Sequence, residues 1–383
     1  MFKTLVMLSL ALLVALMLRR RSQRVLRIDP PFLALVSFTA YATVSVVWAL
    51  YPSVALERAG RLWFYTSIYM LIVCWTTRRS DLNRWGHLFM YMAVALFACT
   101  WVEANLIGFD QAYVMTGEIY VGFFSYWAAL LFPFMVHYVL CPRNRFERIL
   151  GTAGLLATVG TVFLTARRSP LLTMPLALIL YLVLVGYRRR EHVIAMALIA
   201  GLGALVLASQ PKLLDRMAAA FILLTPEGET LRQLHPRWII YEGGLAAAKR
   251  YWLTGMGLGG TLHWMDDVWG YTRVFDQHNL ILQLLSELGI TGLLLFTGFA
   301  WLAYARMRRA LSVMLRQGQV RQASLVTAMI CSFVTLLVYA QFEPMLTQSL
   351  IYVVAAVGSS ACSLLCNPEP QQKTASGALP ARA

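Results

Sequence analysis

Residues 279–305 have the sequence NLILQLLSELGITGLLLFTGFAWLAYA, in which Glu287 is the only charged residue. A helix rises about 1.5 Å per residue, so a run of this length can cross the roughly 30 Å hydrocarbon core of a bilayer. Lipid offers the backbone no hydrogen-bond partner, and a spanning run of this kind must therefore be helical. The stretch predicts a transmembrane helix.

The rest of the chain repeats this pattern. Hydrophobic residues make up 59% of its 383 residues, charged residues only 13%, and the mean hydropathy is +0.63. A soluble domain would carry roughly twice that density of charge. We therefore predict an all-α polytopic transmembrane helical bundle of about 11–12 spans. The apolar runs lie near 2–18, 30–50, 60–76, 85–107, 121–141, 146–165, 170–187, 191–209, 279–305, 322–341 and 345–366.

Arginines cluster in every second connection between these runs, at 19–27, 78–84, 143–148, 188–190 and 306–321. Because positive residues favour the cytoplasmic side, these connections and the C-terminus are predicted to be cytoplasmic. The net charge of +15 then reflects topology. No basic stripe is interleaved with stacking aromatic residues, so nucleic-acid binding is not predicted. Eleven spans would place the N-terminus outside, and two explanations are open: either this topology is real, or the natural chain has one more N-terminal span.

Four parts follow from this layout: an N-terminal transmembrane bundle (1–209), a periplasmic loop with amphipathic helices (210–277), C-terminal transmembrane helices (278–366) and a disordered cytoplasmic tail (367–383). The six cysteines all lie outside the periplasmic loop. No external His, Cys, Asp and Glu residues have metal-ligand spacing. Neither a metal site nor a disulfide framework is predicted.

The turn Thr165-Ala166-Arg167-Arg168-Ser169-Pro170 departs from the positive-inside pattern. It places two arginines on the periplasmic side, with no acidic neighbour in the sequence. Pro170 favours the start of a helix, whose free N–H groups attract anions. Two guanidiniums beside a helix N-terminus can bind a phosphate or pyrophosphate. The alternative is that both contact lipid phosphates as anchors.

A second external arginine site follows in the loop. His235-Pro236-Arg237-Trp238 begins a predicted amphipathic helix that ends near Arg250. Arg237, at its N-terminal end, can bind an anion or contact lipid or solvent. Apolar residues recur at a spacing of seven and predict a stripe for the membrane surface or the bundle. They are Trp238, Leu245 and Trp252.

Glycines mark two places where backbones are expected to approach closely. The segment Gly255–Gly260 lacks the preceding strand and the following Lys-Ser/Thr of a phosphate-binding loop. We predict a turn that packs closely on another backbone. Gly289 and Gly292 are expected to let a helix pack closely against the span at 279–305.

The sequence Asp276-Gln277-His278-Asn279 lies where the chain re-enters the membrane. We place His278 in the first helical turn, where a neutral imidazole can act as a base, although an interfacial histidine can also be a polar cap. Glu287 is nine residues further on, on the opposite helix face and about 13 Å along the axis. It is therefore expected to bond to backbone or a neighbouring helix, and not to orient His278.

Taken in order, these motifs resemble the O-antigen ligase and polymerase superfamily of bacterial surface-polysaccharide assembly. The matching features span about 165–300, and the hydropathy layout extends the resemblance over nearly the whole chain. They are the external Thr-x-x-Arg turn ending in Arg168, the segment from Arg237-Trp238 to Trp252-Leu253-Thr254-Gly255-Met256-Gly257, and His278-Asn279-Leu280-Ile281-Leu282 through Glu287-Leu288-Gly289-Ile290-Thr291-Gly292.

The resemblance implies a glycosyltransferase of the bacterial inner membrane that acts on the periplasmic side without metal or nucleotide cofactor. Its donor is an undecaprenyl-pyrophosphate-linked polysaccharide. Arg168 and Arg237 match the positions thought to hold the donor pyrophosphate, and His278 matches the base on the acceptor hydroxyl. Asn279, Glu287 and Gly289 are assigned supporting roles. Arg167 departs from the family pattern, so either Arg167 or Arg168 can face the donor.

We predict a ligase that transfers the polysaccharide to lipid A–core. A polymerase of the same superfamily, which extends another carrier-linked chain, is the nearest alternative. A transporter or flippase would need ionisable groups near the midplane of several spans and a repeated half, which we do not find. The predicted partners are the carrier-linked donor, the lipid A–core acceptor and the bilayer.

Overall fold

The computed structural model describes residues 28–107, 120–165, 168–185, 197, 201, 236–269, 277–344, 346 and 348–366. Within these ranges the chain is helical, and no strand occurs. The predicted span 2–18, most of the predicted span 191–209, part of the loop 210–277 and the tail 367–383 lie outside the described residues.

Helices α1 to α11 follow one another in chain order. They are α1 (Pro30–Val44, continued by a 3₁₀ turn at Ser45–Trp48), α2 (Pro52–Trp75), α3 (Arg79–Ile107), α4 (Tyr120–Leu140), α5 (Arg145–Thr165), α6 (Arg168–Val185), α7 (Pro236–Arg250), α8 (Thr261–Trp269), α9 (Leu280–Arg316), α10 (Val320–Tyr339) and α11 (Leu350–Cys366).

Four of the described helices are long and apolar enough to cross a membrane: Pro30–Trp48, Arg79–Val102, Leu280–Arg316 and Val320–Tyr339. Shorter apolar helices at Phe124–Leu140, Leu172–Val185 and Leu350–Cys366 accompany them. The predicted class, an all-α polytopic membrane protein, is confirmed. The number of spans stays a prediction.

Helices α10 and α11 form the centre of the bundle. Helix α10 packs against α4, α6, α9 and α11, while α11 also packs against α2 and α3. Small residues such as Ala328 and Ala355 are fully buried on these helices, which lets their neighbours approach closely. Helices α5 and α6 instead expose large apolar side chains, including Leu156 and Ile179, as expected for surfaces that face lipid.

Helices α2 and α9 extend furthest beyond the apolar runs that predicted them. Helix α2 begins at Pro52, because its charged first turns are paired: Glu57 with Arg61 at 2.5 Å, and Arg58 with Glu287 of α9 at 3.9 Å. Helix α9 continues past residue 305, since a buried face persists at helical spacing beside the exposed arginines. That face includes Ala303, Met307, Ala310, Leu311 and Met314.

Candidate functional site

His278 lies just before α9. Asn279 is the N-cap of this helix, and its Oδ1 accepts a hydrogen bond from the Leu282 N–H at 2.9 Å. The prediction that His278 occupies the first helical turn is therefore wrong, because Asn279 already precedes that turn. The His278 side chain is 20% exposed, so a substrate hydroxyl can reach the imidazole.

Glu343 lies beside this imidazole. Its Oε2 is 3.5 Å from His278 Nδ1, a distance suited to an ion pair but longer than a well-formed hydrogen bond. The Leu280 N–H donates to the Ala340 carbonyl at 2.9 Å, which fixes the start of α9 to the end of α10. Sequence reasoning missed Glu343, although an acidic residue in the predicted external connection between two spans was a usable signal.

The same carboxylate reaches the start of α6. The Ser169 hydroxyl donates to Glu343 Oε1 at 3.5 Å, and Ser169 is buried. Arg168 is the first residue of α6, so its backbone is one residue away from this contact. The turn has no acidic neighbour in sequence, but the fold supplies one. Arg167 lies outside the described residues, and for Arg168 the structure describes only the backbone.

Helix α7 is held against the segment that contains His278. The Tyr241 hydroxyl donates to the His278 carbonyl at 3.5 Å, and the buried Gln277 amide donates to the Ile240 carbonyl at 3.1 Å. Gly244 makes this approach possible, because a Cβ there would lie 2.3 Å from Gln277 Nε2. Contacts from two side chains therefore fix α7 relative to the imidazole.

Helix α7 begins at Pro236 and ends at Arg250, as predicted. Its outward face carries an apolar stripe beside charged residues: Trp238, Leu245 and, just beyond the helix, Trp252 are 41%, 50% and 60% exposed, and Glu242, Lys249 and Arg250 are exposed as well. That stripe faces away from the bundle, which suits contact with the membrane surface. Arg237 is the second residue of α7 and is described by its backbone. The start of α7 is thus placed on the His278 side of the bundle.

The segment Gly255–Gly260 packs onto a break in α9. Gly289 has φ +64° within the helix, a left-handed conformation that favours glycine. A Cβ on Gly255 would lie 2.2 Å from the Glu287 carbonyl carbon, so the predicted close backbone packing is confirmed. Three backbone hydrogen bonds join the two segments: Met256 N–H to the Ser286 carbonyl, Gly257 N–H to the Glu287 carbonyl and Ile290 N–H to the Trp252 carbonyl. The prediction of one uninterrupted helix over 279–305 is therefore wrong.

Glu287 lies beneath this break and is fully buried. It accepts hydrogen bonds from the Thr261 hydroxyl at 2.6 Å and the Gln283 amide at 3.3 Å. Its Oε1 is 3.9 Å from the Arg58 guanidinium, which is also buried. Glu287 therefore joins α2, α8 and α9. The carboxylate that lies beside His278 is that of Glu343, not that of Glu287. Sequence reasoning did not single out Arg58.

Helix α8 has a second attachment to the connection before α2. The Tyr51 hydroxyl donates to the Asp267 carboxylate, and the Tyr51 ring lies 5.2 Å from the His263 ring. Burial and then the hydrogen bond and charge of Asp267 raise the pKa of Tyr51, so its hydroxyl stays protonated and keeps this bond at neutral pH. Helix α8 is thus fixed both to the connection before α2 and to α9.

Together these contacts bring three motifs to one side of the bundle. An imidazole with an adjacent carboxylate lies beside the N-terminus of α6 and near helix α7, and each of these helices has an arginine in its first two residues. Helix N-termini carry partial positive charge and attract anions. Among the described residues, no group of three or more His, Cys, Asp or Glu could hold a metal ion. The arrangement suits proton transfer beside a bound anion.

Comparison with known families gives one result. The model described as O-antigen ligase matches residues 153–297, which include the turn before α6, helix α7, the glycine segment and His278. Glu343 lies beyond the matched residues. A comparison with curated proteins finds no match. This domain match supports the resemblance of the chain to the O-antigen ligase and polymerase superfamily.

Proposed function

We propose that the chain is an inverting, metal-independent O-antigen ligase. It transfers O-antigen polysaccharide from undecaprenyl pyrophosphate to lipid A–core, on the periplasmic side of the bacterial inner membrane. The observation that supports this proposal is the convergence of the α6 start, helix α7 and the His278–Glu343 pair within and beside an O-antigen ligase domain.

In this proposal Arg168 and Arg237 hold the donor pyrophosphate. Pyrophosphate is a good leaving group, and the charge that develops on it needs cations more than an acid catalyst. Each guanidinium can make two parallel hydrogen bonds to phosphate oxygens, and the helix N-terminus beside it adds backbone N–H donors. Arg167 is a second candidate at the α6 end of the site.

His278 acts as the base in this proposal. Its Nε2 takes the proton of the acceptor hydroxyl as that oxygen forms a bond to the anomeric carbon of the donor. The bond from this carbon to the pyrophosphate oxygen breaks, and its electron pair leaves with the pyrophosphate. One displacement of this kind inverts the anomeric configuration, and it needs no second carboxylate as nucleophile.

Glu343 positions the imidazole. With Oε2 3.5 Å from Nδ1, the carboxylate favours the tautomer with a proton on Nδ1 and leaves Nε2 free to accept one. It also stabilises the imidazolium after proton transfer, as the aspartate of a serine-protease triad does. Hydrogen bonds in unliganded sites are often long and shorten when substrate binds.

Replacing Glu343 with glutamine is expected to slow transfer at least about tenfold. A positioned base contributes about 10²–10⁴-fold to a rate, and loss of the group that orients the base should remove part of that contribution. Donor affinity should change little, because Glu343 is assigned no contact with the donor. Glu343→Asp should restore part of the rate. The measurement is the initial rate of transfer, with donor affinity determined separately.

Glu57→Gln is the matched control for this variant, since Glu57 is an exposed carboxylate paired with Arg61 on α2. It should transfer at the wild-type rate. Equal loss in both variants, or a Glu343→Gln protein with unchanged rate, would contradict the positioning role.

Ligase and polymerase give different lipopolysaccharide patterns in a strain that lacks the protein. Loss of a ligase leaves core-only lipid A while carrier-linked polymer accumulates. Loss of a polymerase leaves core with a single repeat unit. The second pattern would replace ligase with polymerase as the activity, while the assignment of donor and base residues would stand.

The proposed orientation can be tested by labelling cysteines in an otherwise cysteine-free variant. Val268 on α8 and Arg308 on α9 are both exposed. A membrane-impermeant maleimide added to cells with a permeabilised outer membrane should label Val268→Cys. Arg308→Cys should react only after the inner membrane is opened. The reverse pattern would place His278 on the cytoplasmic side.

A further inference from the structure

A cavity of about 450 Å³ lies between the end of α2 and the start of α3. It is at the opposite end of the bundle from His278, because α2 starts at Pro52, next to Tyr51 and its Asp267 contact, and ends at Trp75. Its volume is within the range of small-ligand sites and is about fifteen times the ~30 Å³ that a water molecule occupies in the liquid.

The walls of this cavity are apolar and aromatic. Trp75 and Leu88 are 59% and 45% exposed, and Trp85 also lines the cavity, with its indole N–H donated to Thr76 Oγ1 at 2.8 Å. Tryptophans are enriched at the membrane interface, where the ring contacts both the acyl region and the headgroups. The walls therefore suit the glycerol and upper acyl region of a lipid.

The rim of the cavity is cationic. Arg78 and Arg84 line it together with Asp81. The Asp81 carboxylate is already engaged, since it accepts from the backbone N–H groups of Thr77 and Arg78 and from the Arg84 guanidinium at 3.1 Å. The Arg78 guanidinium is exposed and makes no ion pair or side-chain hydrogen bond with the described residues. The three charges sum to +1, which favours an anion.

We propose that this cavity binds one phospholipid with an anionic headgroup from the leaflet opposite to the His278 side. Arg78 contacts the lipid phosphate, Arg84 adds positive charge beside it, and the two tryptophans flank the glycerol. A basic site beside a membrane-facing aromatic wall has the polarity of a phospholipid, charged at one end and apolar at the other. The site is separate from the proposed transfer reaction.

Native mass spectrometry of the full-length protein in detergent tests this proposal. The probes are phosphatidylglycerol and phosphatidylcholine with identical acyl chains. The wild-type protein should retain one phosphatidylglycerol in preference to phosphatidylcholine. Arg78→Gln combined with Arg84→Gln changes the cavity charge from +1 to −1, and should weaken phosphatidylglycerol binding about thirtyfold, since each basic residue near a membrane surface contributes roughly one kcal/mol.

The control is Arg308→Gln combined with Arg309→Gln. It removes two exposed arginines from α9 at the same end of the bundle, so it matches the test variant in total charge. This control should bind phosphatidylglycerol like the wild type. Equal loss in both double variants would overturn the proposal, because general surface charge would then explain the binding. Equal retention of both lipids, or retention of inorganic phosphate without lipid, would overturn it too.

Discussion

His278→Ala is expected to lower the rate of transfer by about 10²–10⁴-fold, the usual contribution of a positioned general base. Binding of the carrier-linked donor should remain close to that of the wild type, because in the proposed mechanism the imidazole acts on the acceptor hydroxyl while Arg168 and Arg237 hold the pyrophosphate. An interaction made only in the transition state lowers the rate constant without changing ground-state affinity. The measurement compares transfer rate and donor affinity in purified protein.

His263→Ala is the matched control for this loss. His263 is a half-buried histidine on α8 that contacts the Tyr51 ring, and it has no assigned part in transfer. It should leave the rate near that of the wild type. If His278→Ala transferred polymer at a near wild-type rate, the base would have to be another residue. Asp276 and Glu242 would then be tested first, and Glu242 already accepts a hydrogen bond from Trp238 Nε1 at 2.7 Å.

The arginine variants should differ from His278→Ala in the same assay, because they should change donor affinity as well as rate. Arg168→Ala and Arg237→Ala should each weaken donor binding as well as slow transfer, because a charge-assisted contact to the pyrophosphate is lost. Lysine should restore only part of the affinity, since it keeps the charge but not the planar two-point contact. Arginine variants with wild-type donor affinity would mean that these side chains serve as lipid anchors.

The sequence predicts the fold class because lipid allows few structures. An apolar run such as 322–341 can cross a bilayer only as a helix, and α10 at Val320–Tyr339 agrees with this prediction to within two residues. The limits of α2 and α9 were harder to predict. They depend on which charges are paired across helices, and hydropathy carries no information about pairing.

Some residues of the candidate site could likewise be predicted from the sequence, and others could not. His278 and the start of α7 at Pro236 follow from local signals, a polar cluster at a membrane boundary and a proline at a helix start. Glu343 could not be assigned to His278, because their proximity results from the packing of α9 beside α10. The break at Gly289 likewise depends on a partner, the backbone of the segment that begins at Gly255. A pattern local to one helix does not predict it.

The Arg58–Glu287 pair has the largest expected effect on stability. Both groups are buried, and Glu287 also accepts from Thr261, so one carboxylate joins α2, α8 and α9. Glu287→Ala leaves the Arg58 guanidinium buried without its carboxylate. Removing one partner of a buried ion pair typically costs about 3–5 kcal/mol, and we expect the free energy of unfolding in detergent to fall by that amount. Transfer should fall as well, because α8 and the glycine segment lose an attachment to α9.

Comparison of single and double variants separates the ion pair from simple loss of packing. Arg58→Met combined with Glu287→Leu removes both charges of this pair, and apolar side chains occupy much of the same volume. The double variant should therefore be more stable than Glu287→Ala alone, since replacing a whole buried pair is often nearly neutral. Glu57→Ala, which breaks the exposed pair of Glu57 with Arg61 directly beside Arg58 in the same helix, should cost about 0.5 kcal/mol or less. If the double variant lost as much as the two single variants added together, Arg58 and Glu287 would be acting independently. The attachment of α8 to α9 would then rest on the Thr261–Glu287 hydrogen bond and the backbone contacts around Gly289, without a contribution from the ion pair.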